Sequence, residues 1–405
     1  MRALTFSLSV PGHLAARAAG RWLPALLASG WLPGLGLRRS PSPALPGPRW
    51  VRLRPILSGV CASDLALITG RSSPALSPFV SFPAVLGHEV VARVVEVGPQ
   101  VRRLGPGDRV VVDPFISCEI RGLDACPPCR RGDTRLCTRA AEGSLAPGML
   151  IGYCRSLPGG WSEEMIAHES QLYQVPAGIA DAAAVLVEPL AVALHAVLLS
   201  PPAAESRVLV LGAGTIGLCT IAALQAVEPT CHVVALARHA FQREAARRLG
   251  AEPVAAGEGA GHAAVAATGA RRHQPVWGPA VYAGGFDRVY DCAGTSRSMN
   301  DGLRVAGPAA HVLLVGCTAG ARLDLSFVWA RELRVLGSYG YGPEPAAGGR
   351  HTFALALDLL ARGVPDAGAL ITHRFTLDRW REALGVSLRR ARHGAIKVVF
   401  DGAGT

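Results

Sequence analysis

The sequence is almost without lysine: of its 41 lysines and arginines, only Lys397 is a lysine. The arginines are scattered, and no basic run carries interleaved aromatics. The formal charge of +11 therefore reads as a compositional bias towards Arg, Ala, Gly and Pro, and nucleic acid is not an expected partner. A clean apolar span is also missing. Residues 14–36 are apolar, but Arg17, Arg21 and two prolines interrupt them, so the run is too broken to cross a bilayer. No small-residue cleavage site follows a clean apolar core, which argues against a signal peptide. A cytoplasmic protein with reduced thiols and no membrane partner is expected. Half of the 405 residues are hydrophobic and 18% are charged, which describes a folded chain long enough for two domains.

What is present is strongly patterned. Residues 84–113, AVLGHEVVARVVEVGPQVRRLGPGDRVVVD, alternate short Val-rich runs with Gly and Pro, as strands of an antiparallel, barrel-like domain do. From about residue 186 the pattern changes. RVLVLGAGTIGLCTIAALQAV predicts an apolar strand, a glycine turn and a helix. HVVALAR, FDRVYDCAG and HVLLVGCT predict further buried strands, with FQREAARRLGA a helix between the first two. Apolar strands alternating with helices indicate a parallel, doubly wound sheet. Residues 253–285, rich in Ala, Gly and His, predict a loose, partly helical insertion. A helix, TFALALDLLARG, and a strand, IKVVF, close the chain.

Three groups of residues carry chemistry. In GAGTIG, Gly212 allows a tight turn, Gly214 lets the backbone approach a pyrophosphate, and Gly217 packs helix on strand. The phosphates would meet the N–H groups near Thr215 and Ile216, at the positive end of the helix dipole. The second group is Cys61 in GVCASD with His88 and Glu89 in GHE, joined by Glu188 in VEPLAVALHAV. A thiolate, an imidazole and a carboxylate are the ligand types of a zinc site that keeps one position open. Each also has a plainer reading: a small buried hydrophobe, a hydrogen-bonded core histidine, a charge at a helix start. The third group is Cys118, Cys126, Cys129 and Cys137, four of the ten cysteines within twenty residues. In a reducing compartment such a cluster binds metal or does redox chemistry more readily than it staples the fold.

In their order along the chain, GVCASD, GHE, GDRV, the cysteine cluster, VEPLA, GAGTIG and the closing IKVV resemble the zinc-dependent alcohol dehydrogenases of the medium-chain dehydrogenase/reductase superfamily. EPLAVALHAV is most similar to the sorbitol and threonine dehydrogenase branch. The resemblance covers about residues 50–402. It implies an α/β protein, with a GroES-like β-barrel catalytic domain built from both chain ends and a Rossmann coenzyme domain between them. The expected boundaries are 1–186, with a structural-zinc lobe at about 114–140, then 187–340 and 341–405.

Residue by residue, the resemblance makes Cys61 and His88 catalytic zinc ligands. Glu89 becomes the glutamate that either binds that zinc or sits directly behind it, and Glu188 the glutamate of the fourth position. Ser63 matches the hydroxyl that passes the substrate proton, and Asp64 the acid that orients the ligand histidine. The implied reaction moves hydride between an alcohol or polyol and a nicotinamide coenzyme, the metal acidifying the alcohol hydroxyl. The partner is a small alcohol or carbonyl compound, and a homodimer or homotetramer is expected. Two rivals stand beside this reading. One is an aldehyde or ketone reductase of the same superfamily, and the other a nucleotide-binding protein that has lost catalysis.

The chain departs from the family pattern at four places. Cys126, Cys129 and Cys137 keep the CxxC-x7-C spacing of a lobe binding a second zinc, but the family's first ligand position is Leu123. Cys118 lies five residues earlier, so an insertion must loop out for it to reach. Ala66 stands where many members have a histidine that relays the proton to solvent. Residues 12–45 form an excess ahead of Cys61, fitting either a contribution to the substrate pocket or an exposed embellishment. Finally, the acid expected about 20 residues past the glycine turn is absent: Ala237 stands there, followed by Arg238. A carboxylate would repel a 2′-phosphate and a guanidinium binds one, so NADP(H) is expected over NAD(H).

Overall fold

A computed structural model describes residues 1–405 except 23–25, 28–31, 33, 256, 258, 318–319, 364–366 and 403–405. The chain divides into two compact units, Met1–Glu188 with Phe353–Thr405, and Pro189–Thr352.

The second unit is built on six parallel strands. They are β1 (Arg207–Leu211), β2 (His232–Ala237), β3 (Glu252–Ala255), β4 (Phe286–Asp291), β5 (Ala306–Leu314) and β6 (Arg334–Gly337). Their spatial order is 3-2-1-4-5-6, that of a doubly wound dinucleotide-binding sheet. Such strands are buried on both faces and read as continuous apolar runs, as RVLVL does. Leu209, Leu211, Val234, Phe286, Val289 and Val312 form a core with Ala263 and Leu303 from the helices Gly259–Thr268 and Ser296–Val305. The sequence pattern misread one strand. Residues 252–255 are β3 rather than the start of a loose insertion, and Pro253 hid it. Proline is tolerated there because β3 is the outermost strand, where an amide hydrogen is dispensable. The rest of that segment is the helix Gly259–Thr268 and a hairpin of Arg271–His273 with Val281–Ala283.

The first unit is a mainly antiparallel, seven-stranded sheet. Trp50–Gly59 lies at its centre, pairing Val90–Val97, Met165–His168 and, from the far end of the chain, Lys397–Asp401. Both chain ends thus build one sheet. Its core includes Trp50, Leu53, Val94, Val110, Val112 and Met165. A second core, with Phe6, Val60, Leu65, Ile68, Trp161, Trp380 and Phe400, underlies the short helix Ala62–Ile68. The N-terminal excess contributes the helix Val10–Trp22 and the strand Leu35–Arg39. Leu27 and Leu32 are buried in this second core, while Val10, Leu14 and Trp22 are exposed. Residues 23–25, 28–31 and 33 of the apolar run lie outside the described residues. Among the described residues no helix is long and apolar enough to cross a membrane.

Candidate active site and cysteine lobe

Cys61 is the cap of the helix Ala62–Ile68, and the Asp64 carboxylate reaches back to accept its backbone N–H at 3.1 Å. This is the local reason that CASD turns from strand to helix: the acid three residues on satisfies an amide the helix leaves open. Asp64 is fully buried, and its other oxygen lies 3.4 Å from His88 Nδ1. That contact is within ion-pair reach but misaligned for a hydrogen bond. Burial alone would lower the His88 pKa, but the negative charges of Asp64 and Cys61 outweigh it and hold it well up. With Nδ1 turned to the carboxylate, the remaining ring nitrogen is the one left for a ligand. Gly87 makes the approach possible: at φ 94° it adopts a left-handed conformation, and a Cβ there would strike the Trp161 ring.

Glu89 takes a different direction. Its Oε2 forms a tight ion pair with Lys397 Nζ, which also donates to the Val60 carbonyl at 3.3 Å. Both side chains are 2% exposed. Glu188 is buried at the start of the helix Val187–Leu199. The structure therefore brings Cys61, Asp64 and His88 together and turns Glu89 onto the strand Lys397–Asp401. Among the described residues, the four-cysteine lobe is the only group of three or more possible ligands close enough to share a metal. Ser63 is half-buried, and Tyr153 reaches it: the phenol lies 3.0 Å from Ser63 Oγ and 3.1 Å from Asp64 Oδ1. The Tyr153 ring packs edge-on to His88 at 5.6 Å. Burial, and next the charge of Asp64, push the phenol pKa well up, so it stays a donor. Sequence reasoning missed Tyr153, Lys397 as a partner of Glu89, and Arg390, whose charge lies within electrostatic reach of Cys61 and Glu89.

The four sulfurs of Cys118, Cys126, Cys129 and Cys137 lie within 4.8 Å of one another. Cys118 and Cys137 are 3.6 Å apart, and Cys126 and Cys137 4.0 Å. Tetrahedral zinc–thiolate bonds of about 2.3 Å would separate sulfurs by about 3.8 Å, so the cluster fits that metal. The extra residues do loop out. Leu123 N–H bonds back to the Cys118 carbonyl at 2.9 Å, and Cys126 N–H points at Cys118 Sγ at 3.4 Å. Arg121, within this loop, is completely buried, and its guanidinium donates to the carbonyls of Glu142, Leu145, Ala146 and Gly148. It ties the far side of the lobe to the cysteine loop and places a positive charge near Cys118 and Cys137. Of the remaining cysteines, Cys154, Cys219 and Cys231 are buried and Cys292 is partly so, while Cys317, beyond the end of β5, is exposed.

In the second unit, Gly212 has φ 95° and Gly214 caps the helix Thr215–Val227. A Cβ on Gly217 would collide with the Gly212 carbonyl, so the turn closes only with glycine there. Nothing stands within 4 Å of a Cβ on Gly214, which leaves the approach to the N–H groups at Thr215 and Ile216 open. Asp291, at the end of β4, accepts N–H bonds from Ala293 and Gly294 and so shapes the loop packed against Gly212. Arg238 follows the last residue of β2 and is exposed.

A two-unit chain pairing a Cys–His–Asp constellation with a glycine turn on a 3-2-1-4-5-6 sheet is a nicotinamide-dependent dehydrogenase in class, and comparison with known proteins agrees. Residues 47–177 match the alcohol dehydrogenase GroES-like domain, and residues 215–362 the zinc-binding dehydrogenase domain. The chain is 29% identical to sorbitol dehydrogenase of Arabidopsis thaliana, over 92% of this chain and 94% of that one. It is 31% identical to (R,R)-butanediol dehydrogenase of Saccharomyces cerevisiae, over 64% of this chain and 68% of the relative. A Sinorhizobium meliloti protein described as a zinc-binding dehydrogenase, solved bound to NADP, superposes with a TM-score of 0.73 at 29% identity, covering 91% of this chain and 96% of that one. The chain belongs to the zinc-dependent alcohol dehydrogenase family of the medium-chain superfamily, on its sorbitol and threonine dehydrogenase-like side. It is an NAD(P)-dependent oxidoreductase of alcohols or polyols.

Proposed function

We propose that the first unit holds the alcohol and a catalytic zinc, and that the second holds the coenzyme. The juxtaposition of Cys61, His88 and Asp64 carries this reading. Cys61 and His88 are the ligands, a carboxylate from Glu89 or Glu188 completes the set, and Asp64 fixes the histidine tautomer. A zinc held by these residues would supply a Lewis acid for the alcohol oxygen. Ser63 takes the hydroxyl proton, and the protein aligns the carbon that loses hydride with the nicotinamide. Gly212, Gly214 and Gly217, with the helix start at Thr215 and Ile216, bind the pyrophosphate. The relatives named for sorbitol and for butanediol support a substrate with neighbouring hydroxyls. A second zinc belongs to the four cysteines as a structural site. The protein works in the cytoplasm and associates with itself. The latter is supported by the sheet edge β6, which carries exposed Val335 and is preceded by exposed Trp329.

Two experiments test the reading. Purified protein is expected to contain about two zincs per chain, one per site, and to oxidise members of an alcohol and polyol panel. A metal-free preparation that turns over the panel at the same rate overturns it. Cys129→Ser is expected to lose the lobe's zinc and to melt earlier, because structural metal binding is coupled to folding. A mutant that melts with the parent separates the lobe from metal stabilisation.

The coenzyme reading rests on Ala237 and Arg238, and the expectation is a preference for NADP(H). Hydrogen bonds to a charged group are worth about 1.5–3 kcal/mol. Arg238→Ala should therefore cut kcat/KM for NADP(H) by about ten- to a hundredfold and leave that for NAD(H) nearly unchanged. A parent favouring NAD(H), or a mutant of unchanged preference, shows that Arg238 does not read the 2′-phosphate.

A further inference from the structure

Arg2, Arg52 and Arg109, each partly buried in the first unit, pair with Glu163, Glu96 and Asp181. Arg390 is also partly buried but has no such partner. Its Nε donates to the Ser387 carbonyl at 3.1 Å, and among the described residues no carboxylate lies within ion-pair distance of it. Two packed segments bring it to the metal side of the unit. The helix Trp380–Leu388 shares a core with Val60, Leu65 and Ile68 through Trp380 and Leu384. From Arg390 the chain returns to the strand Lys397–Asp401, where the Val398 carbonyl accepts the Val60 N–H at 2.9 Å. A second cation comes from the helix that Cys61 caps. Arg71 follows that helix, its N–H donates to the Ala66 carbonyl at 2.7 Å, and its Nε donates to the Thr69 hydroxyl at 3.0 Å. It too has no ion-pair partner among the described residues.

The charges that reach Arg390 are those of Cys61, Glu89 and, opposing them, Arg71. Burial outweighs the two negative charges and lowers its pKa, so the guanidinium is desolvated without full compensation. Glu89 is already held by Lys397, and Cys61 is assigned to the metal. Neither is left for Arg390, whose Nη groups still offer a planar fork of donors that matches a carboxylate or phosphate. We propose that Arg390, with Arg71 near it, is an anion-recognition subsite beside Cys61, and that the alcohol oxidised there carries a carboxylate or phosphate group. The inference rests on the proposed alcohol site and names the substrate class it takes. A neutral polyol would leave the cation unpaired, whereas an acidic one supplies the charge that the chain withholds.

The test is a substrate series on the zinc-loaded enzyme with coenzyme saturating: a hexitol, its monophosphate and the corresponding aldonic acid. The parent's kcat/KM for an anionic member is expected to exceed that for the hexitol by about tenfold or more, the effect of a charge-assisted contact. Inorganic phosphate should compete with the alcohol. Arg390→Gln should cut the preference by about ten- to a hundredfold, mainly through KM. Arg390→Lys should keep part of it, because an ammonium retains the charge without the fork. Arg71→Gln should cost less, about threefold, because that side chain is exposed. The Kd of the coenzyme, from a fluorescence titration, separates the two sources of phosphate. If Arg390→Gln weakens coenzyme binding and lowers kcat/KM equally for neutral and anionic alcohols, the guanidinium serves the coenzyme and the inference is overturned. If that variant does not fold, the parent's own preference and the phosphate competition decide. A parent that holds no zinc and oxidises no member of the series overturns the proposed function itself. An active, zinc-loaded parent that does not favour the anionic members overturns the subsite alone.

Discussion

Cys61→Ser is expected to abolish turnover while leaving the chain folded. The backbone supports this asymmetry. The contact that turns the chain at Cys61 runs from its N–H to Asp64, and a serine keeps that N–H and is itself a favoured helix cap. What is lost is the soft thiolate, the stronger zinc ligand of the pair with His88. The metal contributes several kcal/mol of transition-state stabilisation, which corresponds to about a thousandfold or more in rate. His88→Ala should be equally inactive but less stable, because it opens a cavity beside the Tyr153 ring and leaves buried Asp64 without its neighbour at 3.4 Å. Metal analysis completes the experiment: each mutant is expected to lose one zinc and keep the lobe's. Full activity in a Cys61→Ser preparation shown to lack the catalytic metal would sink the zinc mechanism.

The sequence made the second unit legible because its signals are local. A strand, three glycines and a helix occupy adjacent positions, and the collision that demands Gly217 involves a residue five positions away. Strand β3 escaped because EPVA is short and contains a proline that only an edge position excuses. The catalytic constellation was legible in kind but not in closure. Nothing in the spacing of GHE says that Glu89 faces Lys397, which is 308 residues distant. A signal was nonetheless present: the sole lysine of an arginine-rich chain opens an apolar strand, KVVF. Tyr153 had no such signal. It stands in an irregular stretch, IGYCRSLPGG, and approaches Ser63 only through long-range packing. The cysteine lobe shows the opposite case. Its register departure was plain in the sequence, but whether Cys118 reached the others depended on the turn from Cys118 to Leu123.

Lys397→Met is expected to be among the most destabilising single changes in the first unit. Lys397 and Glu89 are each 2% exposed and paired with one another, and the lysine also satisfies the Val60 carbonyl. Methionine matches the length of the aliphatic stem, so little packing is lost. Instead, the Glu89 carboxylate remains buried without its counter-charge, next to Gly59, where even a Cβ would strike it. Removing one partner of a buried ion pair costs about 3–5 kcal/mol. At about 2–4 °C per kcal/mol for a unit of this size, the melting temperature should drop by roughly 6–20 °C. The loss belongs to the stranded charge and not to the missing lysine. Glu89→Gln added to Lys397→Met should therefore recover much of the stability, since replacing both charges removes the desolvation cost that either one alone retains. The pair also decides what Glu89 can do. While Lys397 holds its carboxylate, the oxygen is turned from Cys61 and His88, so Lys397→Met frees it to enter the metal site. The same mutant, assayed for zinc at low temperature where it remains folded, is expected to bind the catalytic metal at least as tightly as the parent. A mutant that melts with the parent shows that the pair carries no net stability. One that loses its catalytic zinc while folded shows that the Lys397 pairing is what supports the site.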